Sequence, residues 1–267
     1  AQPMNATQPA PGEAILEVSG LSIAFGGLKA VRDVSFTVRR GEVFTLIGPN
    51  GAGKTTLFNL VSRLYAADAG RIVFEGRDIT ALPAHRIASL GIARTFQNIE
   101  LFEHATVLQN LLIGRHVHRR TALWEELLFL PSVRRAEIAA RERVEEVIDR
   151  LDLQHYRDTP VAGLPYGVRK IVELGRALAT GPRLLLMDEP SSGLNVEETD
   201  DMAFWIEDLN RDLGITVVMV EHDMRLVSRV SHRVLALDQG AVLAVGTAQE
   251  VQSHPAVVDA YLGSAHA

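Results

Sequence analysis

Uninterrupted apolar runs alternate with longer stretches of helical composition in the second half of this chain. Residues 184–187 and 216–220 contain almost only apolar side chains, which is typical of strands covered on both faces. Each run follows a stretch of helical composition, at residues 169–180 and 196–213. Because parallel strands need such crossover connections, the alternation predicts an α/β fold with a parallel sheet wrapped by helices.

Other β-rich runs predict antiparallel pairing. Three short runs bounded by glycine or charge predict a small antiparallel sheet beside the main one, at residues 15–19, 34–39 and 71–75. Two more, at residues 234–237 and 242–245, are separated by a short Asp-Gln-Gly turn and predict a hairpin.

The middle of the chain has a different, helical character. Residues 136–153 place Val144, Val147, Ile148 and Leu151 on one face and Glu and Arg elsewhere. Trp124 and residues 127–130 form an apolar cluster among arginines, which fits either an ordinary helical subdomain with a solvated face or a partner-facing surface.

These patterns predict how the chain is divided. We expect a helical subdomain at residues 99–163, inserted into a core with its antiparallel β-subdomain at residues 14–98 and 164–267. Residues 1–13 are rich in Ala, Pro and Gln, and we expect them to be disordered.

A glycine-rich turn joins the β-rich run at residues 42–47 to a helix-compatible stretch at residues 56–64. It fits the phosphate-binding pattern G-x-x-x-x-G-K-[ST] as Gly48-Pro49-Asn50-Gly51-Ala52-Gly53-Lys54-Thr55. The glycines let successive N–H groups converge on phosphates at a helix N-terminus. We expect Lys54 to reach the β- and γ-phosphates and the Thr55 hydroxyl to ligate Mg²⁺. A chance match is the alternative, but strand, turn and helix stand in the order that the motif requires.

Two carboxylates follow the apolar run at residues 184–187. Asp188 is expected at the carboxyl edge of the sheet, beside the phosphate loop, where it can hold Mg²⁺. Glu189 is expected across the γ-phosphate, where it can polarise an attacking water. A helix cap or a surface charge is the alternative for a lone acid. Kinases, GTPases, helicases and transporter motors share such a loop, so these motifs by themselves leave the function open.

Composition narrows the class of protein. The 267 residues, 47% of them hydrophobic, suffice for one large domain or two coupled lobes. The formal net charge of −6 argues against a protein that coats nucleic acid. The absence of cysteine excludes disulfides and thiolate zinc sites. No apolar run approaches the roughly 18 residues that span a bilayer.

Taken together, the motifs resemble those of the ATP-binding subunits of ATP-binding-cassette transporters, over residues 14–263. Phe25 stands before Gly26-Gly27, where this family has the aromatic residue that stacks on adenine. The other matching elements are the glutamine loop at residues 94–97, the signature loop at residues 164–168, the dimer-seam loop at residues 191–195, and His222 as the switch histidine.

The resemblance is closer to one branch, the branched-chain amino-acid importers. The segments that carry it are residues 25–31, 91–98, 193–195, 221–224 and 260–263, with a similar helical insert around residues 115–135. That branch handles hydrophobic amino acids, with related systems for amides and urea.

The resemblance implies the ligands and the roles of individual residues. ATP and Mg²⁺ would bind, and ATP hydrolysis would be coupled to transport. Catalysis would rest on Lys54, Gln97, Glu189 and His222, and the ion would contact Thr55, Gln97 and Asp188. The nucleotide would contact Phe25, Val31, Asn50, Gly51, Ala52, Gly53, Lys54, Thr55 and Thr56 and, from the opposite subunit, Pro165, Tyr166 and Gly167.

The resemblance also implies partners and a location. The chain would be a peripheral subunit on the cytoplasmic face of the cell membrane. It would contact two transmembrane permease subunits and a second ATP-binding subunit, identical or paralogous. An extracytoplasmic solute-binding protein would act indirectly, and no nucleic acid would be bound.

Two positions depart from the family's signature loop. Pro165 replaces the usual serine and offers neither a hydroxyl nor an N–H, and Val168 replaces the usual glutamine. We expect the N–H of Gly167 and the helix dipole to preserve the contact across the dimer. The lost hydrogen bond weakens it by about 1–2 kcal/mol.

Three other functions stay open at this point. A non-transport cassette ATPase usually has two cassettes or a long coiled coil, and a small-molecule kinase has no use for the signature loop and His222. Pro165 in the signature loop is also compatible with a third alternative, a nucleotide-binding subunit that hydrolyses ATP weakly and pairs with a paralogue.

Overall fold

The computed structural model describes residues 12–95, 97, 99–118 and 131–264. Its strands are β1 (Ala14–Phe25), β2 (Leu28–Arg39), β3 (Val43–Ile47), β4 (Ala69–Phe74), β5 (Arg77–Asp78), β6 (Ile92–Arg94), β7 (Leu184–Asp188), β8 (Thr216–Val220), β9 (Arg233–Asp238) and β10 (Ala241–Gly246). Its α-helices are α1 (Lys54–Val61), α2 (Ala84–Ile87), α3 (Val107–Gly114), α4 (Pro131–Arg150), α5 (Tyr166–Ala179), α6 (Val196–Leu213), α7 (Met224–Val230), α8 (Ala248–Gln252) and α9 (Pro255–Ser264). Short 3₁₀ turns lie at Ala88–Leu90, Arg115–His118, Gln154–Tyr156 and Val161–Gly163.

The main sheet has the strand order β10-β9-β3-β8-β7-β6 within the described residues. Its strands pair in parallel except for β10, which pairs antiparallel with β9. The predicted parallel sheet and the predicted hairpin are therefore both confirmed. Strand β6 was not predicted, because three residues are too few to show a periodic pattern.

Both faces of the main sheet are buried. Leu185 and Met187 of β7 pack in the hydrophobic cluster that includes helices α3 to α6. Leu184 and Leu186, which point the opposite way, pack in the cluster formed with the second sheet. Since successive strand residues face opposite sides, burial on both sides makes the strand continuously apolar.

The second sheet is antiparallel, with the order β2-β1-β4-β5. It covers one face of the main sheet through residues such as Leu16, Val18 and Phe36. The Phe36 ring of β2 stacks on the Phe44 ring of β3, with centroids 5.4 Å apart. The predicted small antiparallel sheet is confirmed, with longer strands than the sequence runs indicate.

Two predicted helices end earlier than their apolar patterns do. The helix predicted at residues 136–153 spans Pro131–Arg150, and the N–H of Leu153 turns back to the carbonyl of Ile148 at 2.9 Å. Helix α1 ends at Val61, and the N–H of Leu64 bonds to the carbonyl of Asn59 at 2.9 Å. Such 6→1 bonds close a helix with a left-handed residue just beyond it. Leu153, after the turn that ends α4, is still buried, whereas Leu64, after the turn that ends α1, is half exposed. The apolar pattern therefore continues into the core beyond the helix only at α4.

Some expectations fall on residues outside the described ranges. They are the apolar cluster at Trp124 and residues 127–130, most of the segment expected to be disordered, and Phe96 and Asn98. Among the described helices, none combines the length and apolar composition that crossing a bilayer requires.

The central strands set the stability of the fold. Leu186→Ala removes a fully buried side chain from β7, and we expect it to lower the free energy of unfolding by about 2–5 kcal/mol. Leu213→Ala, at an exposed position at the end of α6, is the matched control and should cost no more than about 0.5 kcal/mol. Urea denaturation measures the free energy of unfolding of both variants. Equal decreases in the two variants would contradict the role of strand burial in stability.

Candidate functional site

The turn at residues 48–53 joins β3 to α1 and carries the phosphate-loop motif. A Cβ on Gly48 would lie 2.1 Å from the carbonyl oxygen of Leu237 in β9. Gly53 has a φ of 97°, and a Cβ there would lie 2.4 Å from the carbonyl oxygen of Ala30 in β2. Both neighbours are backbone atoms that cannot move aside, so only glycine fits at these two positions.

Lys54 is buried beneath this turn. Its ammonium donates hydrogen bonds to the carbonyl oxygens of Gly48, at 2.6 Å, and of Pro49, at 2.9 Å. Burial lowers the pKa of Lys54, and the nearby carboxylates of Glu189 and Asp188 oppose that shift. The backbone of the loop therefore holds the ammonium at the base of the turn.

A cleft of about 660 Å³ opens at the turn. It brings together Glu189 and the predicted nucleotide contacts at residues 50–56. Thr55 is exposed there. The cleft is also lined by residues that the sequence did not identify as nucleotide contacts, namely Leu28, Lys29, Ala30, Arg32 and Gln239.

Two other predicted nucleotide contacts do not line that cleft. Phe25, at the end of β1, is 47% exposed, and its ring meets the ring of Tyr65 edge-on at 5.4 Å. The Val31 side chain is packed in the core, while its neighbours Ala30 and Arg32 line the cleft. The Phe25 ring is thus available for stacking, whereas burial closes off the Val31 side chain.

Asp188 ends β7 at the same edge of the sheet as the turn. Its Oδ2 accepts a hydrogen bond from the Nη2 of Arg94 at 2.8 Å, and its buried Oδ1 has no hydrogen-bond partner among the described residues. Burial raises the pKa of Asp188, and Arg94 opposes that shift. A buried oxygen without a partner is unfavourable, and Mg²⁺ prefers oxygen ligands. Asp188 Oδ1 and the Thr55 hydroxyl are therefore a donor pair that fits this ion.

Glu189 contacts two of the other predicted catalytic side chains, Gln97 and His222. Its Oε2 accepts a hydrogen bond from Gln97 Nε2 at 2.9 Å and lies 3.9 Å from the Nδ1 of His222. The backbone of Glu189 has a φ of 47°, which is uncommon for a residue other than glycine. Its N–H is fixed by the carbonyl of Val220 in β8 at 3.0 Å. The structure thus brings Gln97, Glu189 and His222 to one oxygen atom.

Glu221 is a residue of the site that the sequence reasoning missed. Its fully buried carboxylate accepts hydrogen bonds from the backbone N–H groups of Ser191, His222 and Asp223, at 2.8, 2.8 and 3.1 Å. One side chain therefore ties the dimer-seam loop to the segment that carries His222. The signal was present, because an acid directly after the buried strand β8 repeats the pattern of Asp188 after β7.

The signature-loop residues lie away from this cleft and against the dimer-seam loop of the same chain. The hydroxyl of Tyr166 donates a hydrogen bond to the carbonyl of Ser192 at 3.3 Å. A Cβ on Gly167 would lie 2.4 Å from the Oε1 of Glu198. Pro165 is the N-cap of α5 rather than part of its first turn, and it caps the helix with no side-chain hydrogen bond.

Lys170 of α5 is a second residue that the sequence reasoning missed. Its buried ammonium donates a hydrogen bond to the backbone carbonyl of Gln97 at 3.1 Å. Burial lowers the pKa of Lys170, and Glu173, Glu221, Glu189 and Asp188 oppose the shift. A lysine next to Arg169 at a helix start looks like a solvated charge in the sequence, so no signal indicated this contact.

The sequence matches two family models. One, described as ABC transporter, covers residues 31–192, and the other, described as branched-chain amino acid ATP-binding cassette transporter, covers residues 241–267. The high-affinity branched-chain amino acid transport ATP-binding protein BraF of Pseudomonas aeruginosa is 42% identical over 251 residues, which are 94% of this chain and 98% of the relative. LivG of Escherichia coli K12, described in the same words, is 39% identical over 251 residues, with the same coverage of both chains.

Solved structures agree with this assignment. The crystal structure of the ADP conformation of an ATP-binding cassette of an ABC transporter superposes with a TM-score of 0.82 at 32% identity. The match covers 94% of this chain and 99% of that one. The predicted α/β fold with a phosphate loop is therefore confirmed.

The three hydrogen bonds to Glu221 generate a prediction. In Glu221→Gln, an amide NH₂ faces at least one backbone N–H, so a buried donor loses its acceptor. We expect the free energy of unfolding to fall by about 1–3 kcal/mol and ATP hydrolysis to fall with it. Glu197→Gln, at an exposed position in the first turn of α6, is the matched control. Thermal melts and phosphate release check both effects, and a Glu221→Gln protein with unchanged stability would contradict this role.

Proposed function

Because the chain belongs to the ABC transporter family, we propose that it powers the import of branched-chain or other hydrophobic amino acids across a cell membrane. The chain is an ATP-binding, ATP-hydrolysing subunit of that family. The observation that supports amino acids as the transported substrate is the match of residues 241–267 to the branched-chain cassette model. These residues stand apart from the phosphate loop and the carboxylates along the chain, so ATP binding by itself does not explain the match. BraF and LivG, named for the same substrate, support it over nearly the whole chain.

The cleft beside the phosphate loop is the proposed ATP site. Backbone N–H groups at residues 51–56 and the N-terminus of α1 would hold the phosphates, and the adenine would stack on the exposed Phe25 ring. Lys54 would place its charge on the β- and γ-phosphates. Mg²⁺, when bound by Thr55, Asp188 and Gln97, would supply charge neutralisation at the phosphate oxygens.

Glu189 is the proposed general base for hydrolysis. Its Oε2 would accept a proton from water as the water oxygen bonds to the γ-phosphorus and the bond to ADP breaks. Gln97 now donates to that same oxygen, and the second lone pair of the oxygen can accept the proton. His222, with its largely exposed ring beside Glu189, would then contact the γ-phosphate.

A second ATP-binding subunit would complete each ATP site. Pro165, Tyr166 and Gly167 do not line the cleft of their own chain, and Tyr166 is partly exposed. In a head-to-tail dimer these residues would cover the ATP of the opposite subunit. Since Pro165 offers neither hydroxyl nor N–H, a weakly hydrolysing subunit paired with a paralogue is the second candidate arrangement.

The permease contact is proposed for the segment after Gln97. Phe102 is largely exposed, and the buried Asn110 side chain holds the backbone around it through bonds to Phe102, Ala105 and Thr106. A fixed loop that presents an aromatic ring suits a short cytoplasmic helix of a transmembrane permease.

We propose two such permeases, a solute-binding protein acting through them, and attachment of this chain to the cytoplasmic face. Residues 99–163 would act as the helical subdomain that follows the permease, and residues 14–98 and 164–267 as the nucleotide-binding core.

The proposed function is tested with the assembled transporter. Glu189→Gln keeps the shape of the side chain but removes the base, so ATP should still bind while hydrolysis falls by about 10²–10⁴-fold. Leucine uptake into proteoliposomes that contain the permeases, with the solute-binding protein outside, should fall in parallel. Glu197→Gln is the control. Leucine uptake that persists without ATP hydrolysis would refute the proposal that this chain powers transport. ATP hydrolysis that hydrophobic amino acids fail to stimulate would refute the proposal that they are the transported substrate.

The altered signature loop generates a separate prediction. Pro165→Ser adds a hydroxyl at the N-cap of α5, where serine is favoured, and offers it to the opposite subunit's ATP. If the hydroxyl is the missing contact, kcat for phosphate release should rise by up to about tenfold. The serine cap should raise the free energy of unfolding by about 1 kcal/mol. Loss of the rigid proline lowers it by a similar amount, so the melting temperature should hardly change. An unchanged kcat in the folded variant would mean that the loop acts through Gly167 and the helix N-terminus.

A further inference from the structure

Arg94, the last residue of β6, lies largely buried between the helix that follows the phosphate loop and Asp188. Its Nη1 donates hydrogen bonds to the Asn59 Oδ1 at 2.6 Å and to the Ser62 hydroxyl at 2.8 Å. Its Nη2 donates to Asp188 Oδ2 at 2.8 Å, and its Cζ lies 5.1 Å from the centroid of the buried Phe58 ring. One guanidinium therefore joins β6 to α1 and to β7.

The acceptors around this guanidinium are fixed in orientation. The Ser62 hydroxyl donates its own proton to the Phe58 carbonyl at 2.9 Å, so its oxygen is left to accept from Arg94. The Asn59 side chain presents its amide oxygen. Because a guanidinium has only donors, arranged in a rigid planar fork, these acceptors set both the position and the plane of the group. Arg94 thus presents its Nη2 to Asp188 in one orientation.

The anchors of Arg94 lie on the helix that also carries a predicted magnesium ligand. Asn59 comes four residues after Thr55, so the two lie on the same face of α1, one turn apart. Because the same guanidinium also holds Asp188 Oδ2, one side chain sets the spacing between α1 and the end of β7. The second carboxylate oxygen, Oδ1, is buried and has no hydrogen-bond partner within the described residues. Arg94 therefore occupies one oxygen of the carboxylate and leaves the other for the ion.

We propose that Arg94 is a positioning residue for magnesium, which turns the Asp188 carboxylate so that its Oδ1 faces the ion shared with the nucleotide phosphates. The inference rests on the ATP site of the proposed function and is independent of the transported solute. Since Arg94 acts through the Asp188 carboxylate, its effect on affinity should appear only when the ion is present.

The deciding experiment exchanges the guanidinium for an ammonium. Arg94→Lys keeps a positive charge near Asp188, but a single ammonium lacks the fork that reaches Asn59 and Ser62 at the same time. In calorimetric titration of the isolated chain, the Kd for ATP with Mg²⁺ should rise about 3–10-fold, because the Asp188 oxygen is no longer held toward the ion. The Kd for ATP in EDTA should stay within about twofold of the wild-type value, since metal-free ATP makes no use of Asp188.

Two further variants guard against a general disturbance of the fold. Arg40→Lys makes the same exchange at a half-buried arginine that pairs with Glu75 beside the antiparallel sheet, and it should leave both Kd values unchanged. Asn59→Ala removes one anchor but keeps the ion pair of Arg94 with Asp188, and it should stay folded because alanine favours a helix more than asparagine does. Its Kd for ATP with Mg²⁺ should rise in the same direction, by about 2–3-fold.

The outcomes separate this inference from the ATP site itself. Lys54→Ala must weaken ATP binding with and without Mg²⁺, because an unchanged Kd there would refute the ATP site and not only this inference. In an Asp188→Asn background, Arg94→Lys should add no further loss of affinity, since the arginine acts through that carboxylate. The proposal is overturned if folded Arg94→Lys and Asn59→Ala proteins bind ATP with Mg²⁺ as tightly as the wild type. It is equally overturned if their Kd values rise by the same factor with and without the ion.

Discussion

The convergence of three parallel strand ends governs the chemistry of this protein. Strands β3, β7 and β8 are buried on both faces, and their charged side chains lie where the chain leaves the sheet. The phosphate loop follows β3, Asp188 and Glu189 close β7, and Glu221 and His222 follow β8. Because these strands pair in parallel, their carboxyl ends share one edge, and residues distant in sequence become neighbours there.

Burial of charge at that edge gives the site its character. Lys54, Lys170, Asp188 and Glu221 are all shielded from solvent. Within the part of the chain that the structure describes, their polar atoms, except for Asp188 Oδ1, have partners in the protein backbone or in Arg94. Charges in such surroundings interact more strongly than in water, and their positions are fixed before a ligand arrives. The single unpartnered oxygen lies where a cation bound to phosphates is expected.

Gln97 connects this edge with the helical part of the chain. Its side chain donates to Glu189, and its backbone carbonyl accepts from Lys170 of α5. Helix α5 begins at the signature loop, and its Tyr166 holds the dimer-seam loop at Ser192. A rotation of α5 would therefore reach the proposed general base through one residue, which offers a physical route from subunit contact to hydrolysis.

The sequence by itself determined the sheet types, the hairpin and the phosphate loop, because strand burial and glycine geometry leave local patterns of two to eight residues. Asp188 and Glu189 were predictable for the same reason, as acids that end an apolar run. The end of α4 was misjudged because a left-handed turn keeps Leu153 in the core, and β6 was too short to see. Only the tertiary structure decided that Glu221 collects three N–H groups and that Lys170 reaches Gln97. These contacts join residues up to 73 positions apart, or depend on which way a loop backbone turns, and no local pattern of side chains records either.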